Sequence, residues 1–480
     1  MAHRTAELDR TRQQAPDEMI DGFRGPVINA GHADYDRARA VWNGAIDRRP
    51  RLIARCVGAA DVSAAVRFAR ERGLEIAIRG GGHNVAGTAV CDDGIVIDLS
   101  PMRAVRVDPV NRMAWVQGGA LWTDVDHETQ AHGLATTGGV VSHTGVAGLT
   151  LGGGIGWLMR KHGLTIDNLR GVELVSATGE LVHASADEHA DLFWALRGGG
   201  GNFGVATSFE FRLHPVGPIV LGGPVIWDAR DAREVLRFYR DFIRDVPDEL
   251  GTVVRFGPLP PLPAIPSALH GRPAVMIGTC FAGRVEDGER VLRALRTTRT
   301  PLLDLVRAVP YVGLQGALDS TVAHGWHYYW KATHLPKLTD DLIDVLVEHA
   351  FSCSSPRSYV AMFHLTGAVS RVGEDKTAYG NRQASHAVTL DAAWRAGERF
   401  GEQDSAWTKR FFTALGRFRL GVYVNFLGGD ESDRVREAYG TAVYDRLVDV
   451  KTAYDPDNVF HHNQNIPPRS SAGRFSRAGE

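Results

Sequence analysis

Four glycine-rich segments constrain the fold of this chain more than any other feature, and they occupy residues 80–82, 118–119, 152–156 and 198–204. Glycine adopts backbone angles that are closed to other residues, and it lets the backbone come close to a ligand. A single cluster most often marks only a turn. Four clusters, with Asp167-Asn168 between two of them, fit a long ligand such as a dinucleotide whose pyrophosphate is bound by backbone N–H groups. We therefore expect a nucleotide-binding lobe rather than a loop-rich β domain.

The first cluster belongs to the run Arg79-Gly80-Gly81-Gly82-His83-Asn84, which directly follows the mostly apolar segment 74–78. Its glycines allow a tight turn that directs several N–H groups at one anion, and His83 adds an imidazole beside them. The run lacks the glycine spacing of a Rossmann turn and the lysine of a phosphate-binding loop. It predicts a nucleotide binder of another kind.

Length and charge narrow the class of protein. The chain has 480 residues, which is too long for one ordinary core and favours two or three lobes. Its net charge of -2 gives no basic surface for nucleic acid or an anionic membrane, so we expect neither partner. Residues 1–20 contain no apolar run long enough for a signal peptide, and no later segment has the length of a membrane span.

The cysteines and histidines show no metal-binding pattern. The four cysteines are widely scattered without a C-x-x-C pair, and the histidines lack the spacing of a zinc site. We expect reduced thiols in a cytoplasmic protein, and we expect no bound metal. The sequence carries no signal for the oligomeric state.

The pattern of strands and helices changes near the segment 215–218, which reads Pro-Val-Gly-Pro. Before it, a strand, a helix and a strand over residues 52–78 suggest a βαβ unit, and further short strands follow. After it, helices such as 232–243 alternate with strands such as 274–278. The pattern predicts an α+β fold with a nucleotide lobe and a separate second lobe.

Further motifs stand in order along the chain: Arg79–Asn84, Gly145-Val-Ala-Gly-Leu-Thr-Leu-Gly-Gly-Gly-Ile-Gly156, Asp167-Asn168, and Asp191 through Gly204. Together they resemble the FAD-linked oxidases of the vanillyl-alcohol-oxidase type, which have a PCMH-type FAD-binding domain. The runs Tyr423-Val-Asn-Phe426 and Asn463-Gln-Asn-Ile-Pro-Pro468 are similar to the berberine-bridge-enzyme branch of that family. The segment 139–145 resembles an oxygenating member of the branch, the flavoprotein of enterocin biosynthesis. The resemblance extends over residues 35–470.

The resemblance implies a fold of two lobes. A PCMH-type FAD-binding domain would occupy residues 35–215, and a substrate domain with an antiparallel sheet backed by helices would occupy residues 216–453. Residues 1–34 would form an N-terminal extension, and residues 454–480 would return to the FAD lobe.

The resemblance also implies that FAD is the cofactor and that it is attached covalently through His83, because a neutral imidazole can add to the activated methyl group of the flavin. The residues implied to bind FAD are Arg79, Gly80, Gly81, Gly82, His83, Asn84, Val141, Thr144, Gly145, Gly148, Leu149, Gly153, Gly154, Asp167, Asn168, Val205, Asn425, Asn463 and Gln464.

Two positions depart from the family pattern. Many relatives carry a second anchor for the flavin, a cysteine four residues before the glycine that is Gly145 here, and this chain has Val141 at that place. We therefore expect a single covalent bond. The family's tyrosine base is replaced by Phe426, which cannot take a proton.

Two side chains are candidates for the missing base. Tyr423 stands three residues before Phe426, and whether it reaches the reacting atoms stays open. The glutamate of the oxygenating relative is replaced by Ala361, and His364 lies three residues further on. An ordinary strand histidine is an equally good interpretation of His364.

Thr144 is the third candidate catalytic residue. It precedes Gly145 at the position that controls the access of oxygen in the family, where valine admits oxygen and leucine tends to block it. Threonine has nearly the volume of valine, so we expect dioxygen to reach the flavin. Its hydroxyl offers a hydrogen bond that valine lacks, which favours oxygenating chemistry, and simple packing in the loop is the alternative.

The segment Trp326-His-Tyr-Tyr-Trp-Lys331 predicts a strand that faces the flavin. Side chains alternate along a strand, so Tyr328 and Trp330 point one way, the residues between them point the other way, and only one set can line a pocket. An aromatic wall suits a flat or polyketide-like substrate.

We therefore expect an FAD-dependent oxidoreductase that oxidises an alcohol or activated C–H group of a small, secondary-metabolite-like substrate, with dioxygen as the electron acceptor. Two alternatives stay open. One is a flavin-dependent oxygenase that acts on a polyketide-like substrate, which Thr144 favours. The other is a flavin-bearing protein that binds and sequesters a metabolite, which the loss of both usual bases favours.

Overall fold

The computed structural model describes residues 19–469. Residues 1–18, on which the prediction of no signal peptide largely depends, and residues 470–480 at the end of the expected return lie outside the described residues. The described chain combines helices with one partly parallel sheet and further antiparallel sheets. The predicted α+β class is confirmed.

Four short strands form the first sheet: β1 (Val27–Ile28), β2 (Leu52–Arg55), β3 (Ile76–Arg79) and β4 (Ile95–Asp98). Their order is β1-β2-β4-β3, with β2, β3 and β4 parallel and β1 antiparallel to β2. The helix α1 (Tyr35–Arg39) follows β1, and α2 (Ala59–Glu71) connects β2 to β3. The predicted βαβ unit is confirmed, and its second strand ends directly at the glycine turn.

Seven more strands precede residue 216: β5 (Val105–Asp108), β6 (Met113–Gln117), β7 (Leu134–Ala135), β8 (Leu169–Val175), β9 (Leu181–Ser185), β10 (Val205–Arg212) and β11 (His214–Pro215). Five of them form an antiparallel sheet in the order β5-β6-β10-β8-β9, and β7 pairs with β11. The helices of this region are α3 (Trp122–Gln130), α4 (Val146–Gly152), α5 (Met159–His162) and α6 (Ala190–Leu196).

The third sheet contains β12 (Ile219–Asp228), β13 (Leu250–Pro258), β14 (Pro273–Phe281), β15 (Leu303–Asp304), β16 (Arg307–Pro310), β17 (His327–Leu335), β18 (Tyr359–His364) and β19 (His386–Trp394). Its order is β15-β12-β14-β13-β18-β19-β17, β16 also pairs with β12, and all of these pairs are antiparallel. The helices after residue 216 are α7 (Ala232–Phe242), α8 (Val285–Thr297), α9 (Tyr311–Gln315), α10 (Asp340–Ala350), α11 (Ala368–Arg371), α12 (Gly401–Ala414), α13 (Val435–Tyr439) and α14 (Thr441–Tyr454).

The two faces of the third sheet have different environments because side chains alternate along each strand. On β13, Val254 and Phe256 belong to a buried apolar cluster that also contains residues of α7, α8, α10 and α12. Their neighbours Val253 and Arg255 point to the opposite face and line a cavity. The predicted antiparallel sheet backed by helices is thus confirmed. The sheets change between Pro215 and Ile219, and the domain boundaries given above stay predictions.

A buried charge pair helps to hold the chain after α14 against the first lobe. The ammonium group of Lys451 contacts a carboxylate oxygen of Asp455 at 2.6 Å, and both side chains are inaccessible to solvent. Lys451 also donates to the backbone oxygens of Asn202 and Phe460, at 2.7 and 2.9 Å. In turn, the Asn202 side chain accepts a hydrogen bond from the N–H of Ile466 at 3.0 Å. These bonds hold residues 460–466 against the glycine-rich segment of the first lobe.

Candidate active site

A cavity of about 360 Å³ lies between the glycine loops of the first lobe and one face of the third sheet. The predicted FAD-binding residues that line it are Gly80, Gly81, Gly82, His83, Asn84, Val141, Thr144, Gly145, Gly148, Leu149, Asn425, Asn463 and Gln464. They come from four separate parts of the sequence. The fold therefore gathers most of the predicted set around one space.

The backbone of the glycine turn packs directly against the backbone of the loop that leads into α4. A Cβ atom on Gly81 would lie 2.5 Å from the Cα and N atoms of Gly145, closer than any real side chain approaches. Among the three glycines only Gly82 has a positive φ, of 64°. Its carbonyl accepts a hydrogen bond from the N–H of Trp42 at 3.1 Å. Glycine is thus required in this turn mainly because the two backbones are in close contact, and less because of an unusual backbone angle.

His83 lies between aromatic and imidazole rings. Its ring stacks on that of Trp42 with centroids 4.2 Å apart, and the ring of His143 lies 5.0 Å away. His324 lies 4.8 Å from His143, so three imidazoles form one cluster. Burial lowers the pKa of His83 well below its usual value, and the two neighbouring histidines lower it further. The imidazole is therefore neutral at pH 7, and its buried Nε2 has no hydrogen-bond partner among residues 19–469.

The loop before α4 supplies Val141 and Thr144 to the cavity wall. The N–H of Thr144 donates to the carbonyl of Val141 at 3.2 Å, which closes a tight turn. The Thr144 hydroxyl forms no hydrogen bond with the described part of the chain. The four cysteines are free thiols, and the cavity wall described here contains none of them. No described thiol is therefore placed to act as a second anchor.

Two predicted cofactor residues, Arg79 and Asp167, form buried ion pairs away from the cavity wall. The guanidinium of Arg79 donates to both carboxylate oxygens of Asp98, at 2.9 and 3.3 Å, and so joins β3 to β4. Asp167 receives two hydrogen bonds from Arg382, at 2.7 and 3.1 Å. In both residues the charged group is paired with an oppositely charged side chain. The structure thus assigns them to the scaffold around the cavity.

Four other predicted cofactor residues also lie off the cavity wall. Gly153 and Gly154 have φ values of 141° and 88°, and a Cβ on Gly153 would lie 2.6 Å from the ring of Tyr379. The Asn168 amide donates to two backbone carbonyls of its own turn at 3.0 Å. Val205 begins β10 and is buried in the core between the first two sheets. These residues shape the loops and do not face the cavity.

His364, a candidate for the missing base, does not line the cavity, because side chains alternate along β18 and this one points away. Ala361 and Phe363 of that strand line the cavity, whereas His364 lies on the helix-covered face. Its Nε2 is 2.7 Å from the hydroxyl oxygen of Thr366. Burial lowers the pKa of His364 well below its usual value. An odd spacing from Ala361 along a strand predicts the opposite face, so the sequence alone contained this signal.

Tyr423 lines the cavity, but its hydroxyl is occupied by protein groups. The oxygen accepts a hydrogen bond from the N–H of Gly154 at 2.8 Å and another from the Asn425 amide at 2.7 Å. Burial raises the pKa of this phenol above its ordinary value. The geometry favours a role in holding the glycine turn after α4 over one in taking a proton.

The second lobe contributes side chains that sequence analysis missed. Arg255, Tyr359 and Asp391 line the cavity from β13, β18 and β19. On β17 it is the Tyr328 and Trp330 set that turns inward: Trp330 lines the cavity, and Tyr328 stacks on Trp42 at 3.8 Å. Single polar residues inside apolar strands carry no local signal, because the strand pairing that brings them together is set by distant parts of the chain.

Comparison with known proteins identifies the class. Residues 50–185 match the FAD binding domain family, and residues 422–467 match the berberine and berberine-like family. An FAD-linked oxidoreductase of Dictyostelium discoideum is 31% identical over 460 residues, which cover 95% of this chain and 97% of that protein. This chain belongs to the berberine-bridge-enzyme-like family of FAD-linked oxidoreductases.

Solved structures agree with this assignment. The crystal structure of 6-hydroxy-D-nicotine oxidase from Arthrobacter nicotinovorans superposes with a TM-score of 0.85 and 29% identity, covering 95% of this chain and all of the other. A glucooligosaccharide oxidase from Acremonium strictum, with a 6-S-cysteinyl, 8α-N1-histidyl FAD, has the same fold, with a TM-score of 0.80, 23% identity, and coverage of 93% and 97%. The protein is an FAD-dependent oxidoreductase.

The cavity fits this cofactor in two respects. Gly148 and Gly201 line it with free space in front of them, since a Cβ on either would meet no atom within 4 Å. The Nε2 atom of His83 and the side-chain oxygen of Asn84 are buried without partners among residues 19–469, and both residues line the cavity. In the same part of the chain no three metal-ligating side chains cluster, and no helix is long and apolar enough to cross a membrane.

Proposed function

We propose that this protein is an oxidase that carries FAD on His83 and oxidises an alcohol or activated C–H group of a small molecule, with dioxygen as the final electron acceptor. The observation that carries the proposal is the neutral, buried imidazole of His83 at the edge of the cavity. When bound, FAD supplies the ring that accepts the hydride. The protein holds that ring, orients the substrate against it and excludes water.

A single covalent bond is supported by the residues around the turn. The ring of His83 is held by stacking on Trp42, and this residue lines the cavity. Val141 lines the place where a second anchor would stand, and its side chain cannot form a bond to the cofactor. The Acremonium strictum relative, by contrast, combines a histidyl with a cysteinyl bond.

Proton transfer cannot follow the tyrosine pattern of the family. Phe426 and Ala361 line the cavity without titratable groups. Tyr423, one of the two candidates for the missing base, accepts hydrogen bonds from Gly154 and Asn425. The substrate's own acidity, a water molecule or another side chain of the cavity must therefore account for the proton.

Anaerobic mixing with a panel of small alcohols, amines and hydroxy acids tests the proposal. An oxidase bleaches the flavin absorption with at least one substrate, and admission of air restores the absorption and produces hydrogen peroxide. Tight binding without bleaching across the panel would instead support the sequestering protein, and it would overturn the proposed oxidation.

The oxygenase is the second candidate because Thr144 lines the cavity and its hydroxyl forms no hydrogen bond with residues 19–469. Reaction under isotopically labelled dioxygen separates the two activities. Label confined to peroxide and water supports the oxidase. Label in the organic product of wild type, lost in Thr144→Val, supports the oxygenase.

We further propose a cytoplasmic location, which the four free thiols support, since secreted proteins commonly oxidise such residues to disulfides. Fractionation of cells that express the full chain tests this. We propose no macromolecular partner. The small-molecule substrate and dioxygen suffice for the reaction.

A further inference from the structure

Two charged side chains stand together on the cavity face of the third sheet. The strand register places Arg255 of β13 opposite Ala361 of β18, and Ala361 opposite Thr389 of β19. Two residues away along the same two strands, Tyr359 of β18 lies opposite Asp391 of β19. All five line the cavity, and the wall described there contains no other Asp, Glu, Lys or Arg side chain.

The guanidinium of Arg255 forms no ion pair within 4 Å among residues 19–469, and the carboxylate of Asp391 acts on it only at longer range. The guanidinium lies over the ring of Tyr359, 4.2 Å from its centroid, and it forms no hydrogen bond or ion pair with residues 19–469. Burial lowers its pKa below the usual value. The side chain is half-buried and lines the cavity. A charge held in such a place without a hydrogen-bond partner is costly, which indicates that its donors serve a ligand.

The arginines that are buried in the described chain behave differently. Arg79 is paired with Asp98, Arg382 with Asp167, and Arg434 with Glu431. Arg160 donates to the carbonyls of Pro247 and Leu250, at 2.9 and 2.6 Å. Arg255, by contrast, lines the cavity without a hydrogen bond or ion pair to residues 19–469.

Asp391 lies beside this cation and is almost fully buried, with 2% of its surface exposed. One carboxylate oxygen accepts a hydrogen bond from the Thr389 hydroxyl at 2.5 Å. Burial raises its pKa to about 7, against the opposing effects of Thr389 and Arg255. The other titratable groups that face it are the phenols of Tyr359 and Tyr328, both with pKa values raised by burial.

We propose that Arg255 and Asp391 form a substrate subsite that binds a planar pair of oxygens sharing one negative charge, as in a carboxylate or an enolised 1,3-dicarbonyl. This inference rests on the proposed oxidation and names its substrate class. The fork of the guanidinium matches two such oxygens. A protonated Asp391 donates a further hydrogen bond, whereas an ionised Asp391 repels the anion. Val253, Met276 and Phe363 surround the subsite with apolar surface for the remainder of the substrate.

Calorimetric titration of the FAD-loaded enzyme with benzoate, the enolate of 1,3-cyclohexanedione and neutral benzamide tests the subsite. We expect one or both anions to bind wild type at pH 6, with benzamide at least about tenfold weaker, because charge-assisted pairing is lost. The tighter anion identifies the source of the charge. Equal affinity for benzamide and both anions, or no binding of either anion, would overturn the proposal.

Variants connect the binding to the two residues. Arg255→Met should weaken anion binding by about tenfold or more, and Arg255→Lys should retain part of it because the charge remains without the fork. Arg284→Met, which removes an exposed arginine at the start of α8, is the matched control and should bind as wild type does. Anion binding that survives Arg255→Met, or falls equally in the control, contradicts the subsite.

The pH profile tests Asp391 separately. Anion affinity of wild type should fall as the pH rises through about 7, because Asp391 ionises there. Asp391→Asn should remove this fall while benzamide binding stays constant. A profile that is unchanged in Asp391→Asn contradicts the role of Asp391.

Stability and cofactor content distinguish the possible failures. Arg255→Met should raise the thermal midpoint of the ligand-free enzyme, because a half-buried charge without an ion pair is removed, so a loss of binding is not a loss of folding. FAD content should be that of wild type. Loss of FAD from this variant would assign the cation to the cofactor and overturn the substrate subsite. Substrate oxidation without anion binding would refute the subsite alone, whereas absence of flavin reduction refutes the proposed oxidase.

Discussion

The indole of Trp42 stacks on the imidazole of His83, with ring centroids 4.2 Å apart and planes 16° from parallel. The indole also stacks on the ring of Tyr328 on β17, with ring centroids 3.8 Å apart. The indole N–H donates to the carbonyl of Val322 at 2.8 Å. Trp42 thus joins the glycine turn of the first lobe to a strand of the second, and it sets the plane of the imidazole that faces the cavity.

Replacement of Trp42 should therefore affect both stability and flavin attachment. Trp42→Ala should cost about 3–5 kcal/mol in the free energy of unfolding, because a fully buried indole is removed. His83 would lose its stacking surface, so the fraction of chains with covalent flavin should also fall. Urea unfolding and in-gel flavin fluorescence measure the two effects. Trp42→Phe keeps an aromatic surface and should retain more of both, and equal flavin attachment in all three proteins would contradict the positioning role.

A methyl group on Gly81 should disrupt the turn. The added Cβ would lie 2.5 Å from the backbone of Gly145, so the two loops must separate. We expect Gly81→Ala to lower the thermal midpoint and the FAD content together. Gly313→Ala is the matched control, because a Cβ there meets no atom within 4 Å. Wild-type FAD content in folded Gly81→Ala would refute the requirement for close contact.

The hydroxyl of Tyr423 should matter more for stability than for proton transfer. Tyr423→Phe removes the acceptor of the Gly154 N–H and the Asn425 amide, which should cost about 1–3 kcal/mol. Burial keeps the phenol protonated, so the rate of anaerobic flavin reduction should fall by less than about tenfold. Chemical unfolding and stopped-flow absorbance separate the effects. A hundredfold slower reduction with unchanged stability would restore Tyr423 as the base.

Asp126 should make the enzyme less stable as the pH rises. Burial raises its pKa to about 7, although Gln315 donates a hydrogen bond to it at 3.0 Å. The folded state therefore binds a proton that the unfolded state releases near pH 4, so this contribution to stability is lost between about pH 4 and 7. Thermal midpoints of wild type and Asp126→Asn, measured at pH 5 and 8, check this. The fall with pH should be smaller in the variant, and parallel pH profiles would contradict the assignment.

The local parts of the site could be predicted from the sequence. The turn at residues 80–82, the imidazole of His83 and the loop with Val141 and Thr144 are short runs whose residue types carry their own geometry. The structure brings all of them to one cavity. The alternation of side chains along β17 also predicted that only one of two sets could line the cavity, and the set that contains Trp330 does so.

Contacts between distant residues could not be predicted in this way. Asp167 belongs to the Asp167-Asn168 motif, which resembles one in FAD-linked oxidases. Its carboxylate is nevertheless bound by Arg382, which lies 215 residues away in the sequence. Arg255 and Asp391 line the same cavity because only β18 lies between their strands. No local pattern sets that order of strands, since a shift of one residue in register would turn each side chain to the other face.

The covalent bond to His83 is the central claim, and its most direct test is mass spectrometry of the acid-denatured, protease-digested enzyme. We predict that the yellow colour stays with the polypeptide and that the flavin mass lies on the peptide containing His83, with none on a cysteine-containing fragment. His83→Ala should fold but release any flavin into the acid supernatant. Free flavin from fully loaded wild type, together with an unmodified His83 peptide, would contradict the account.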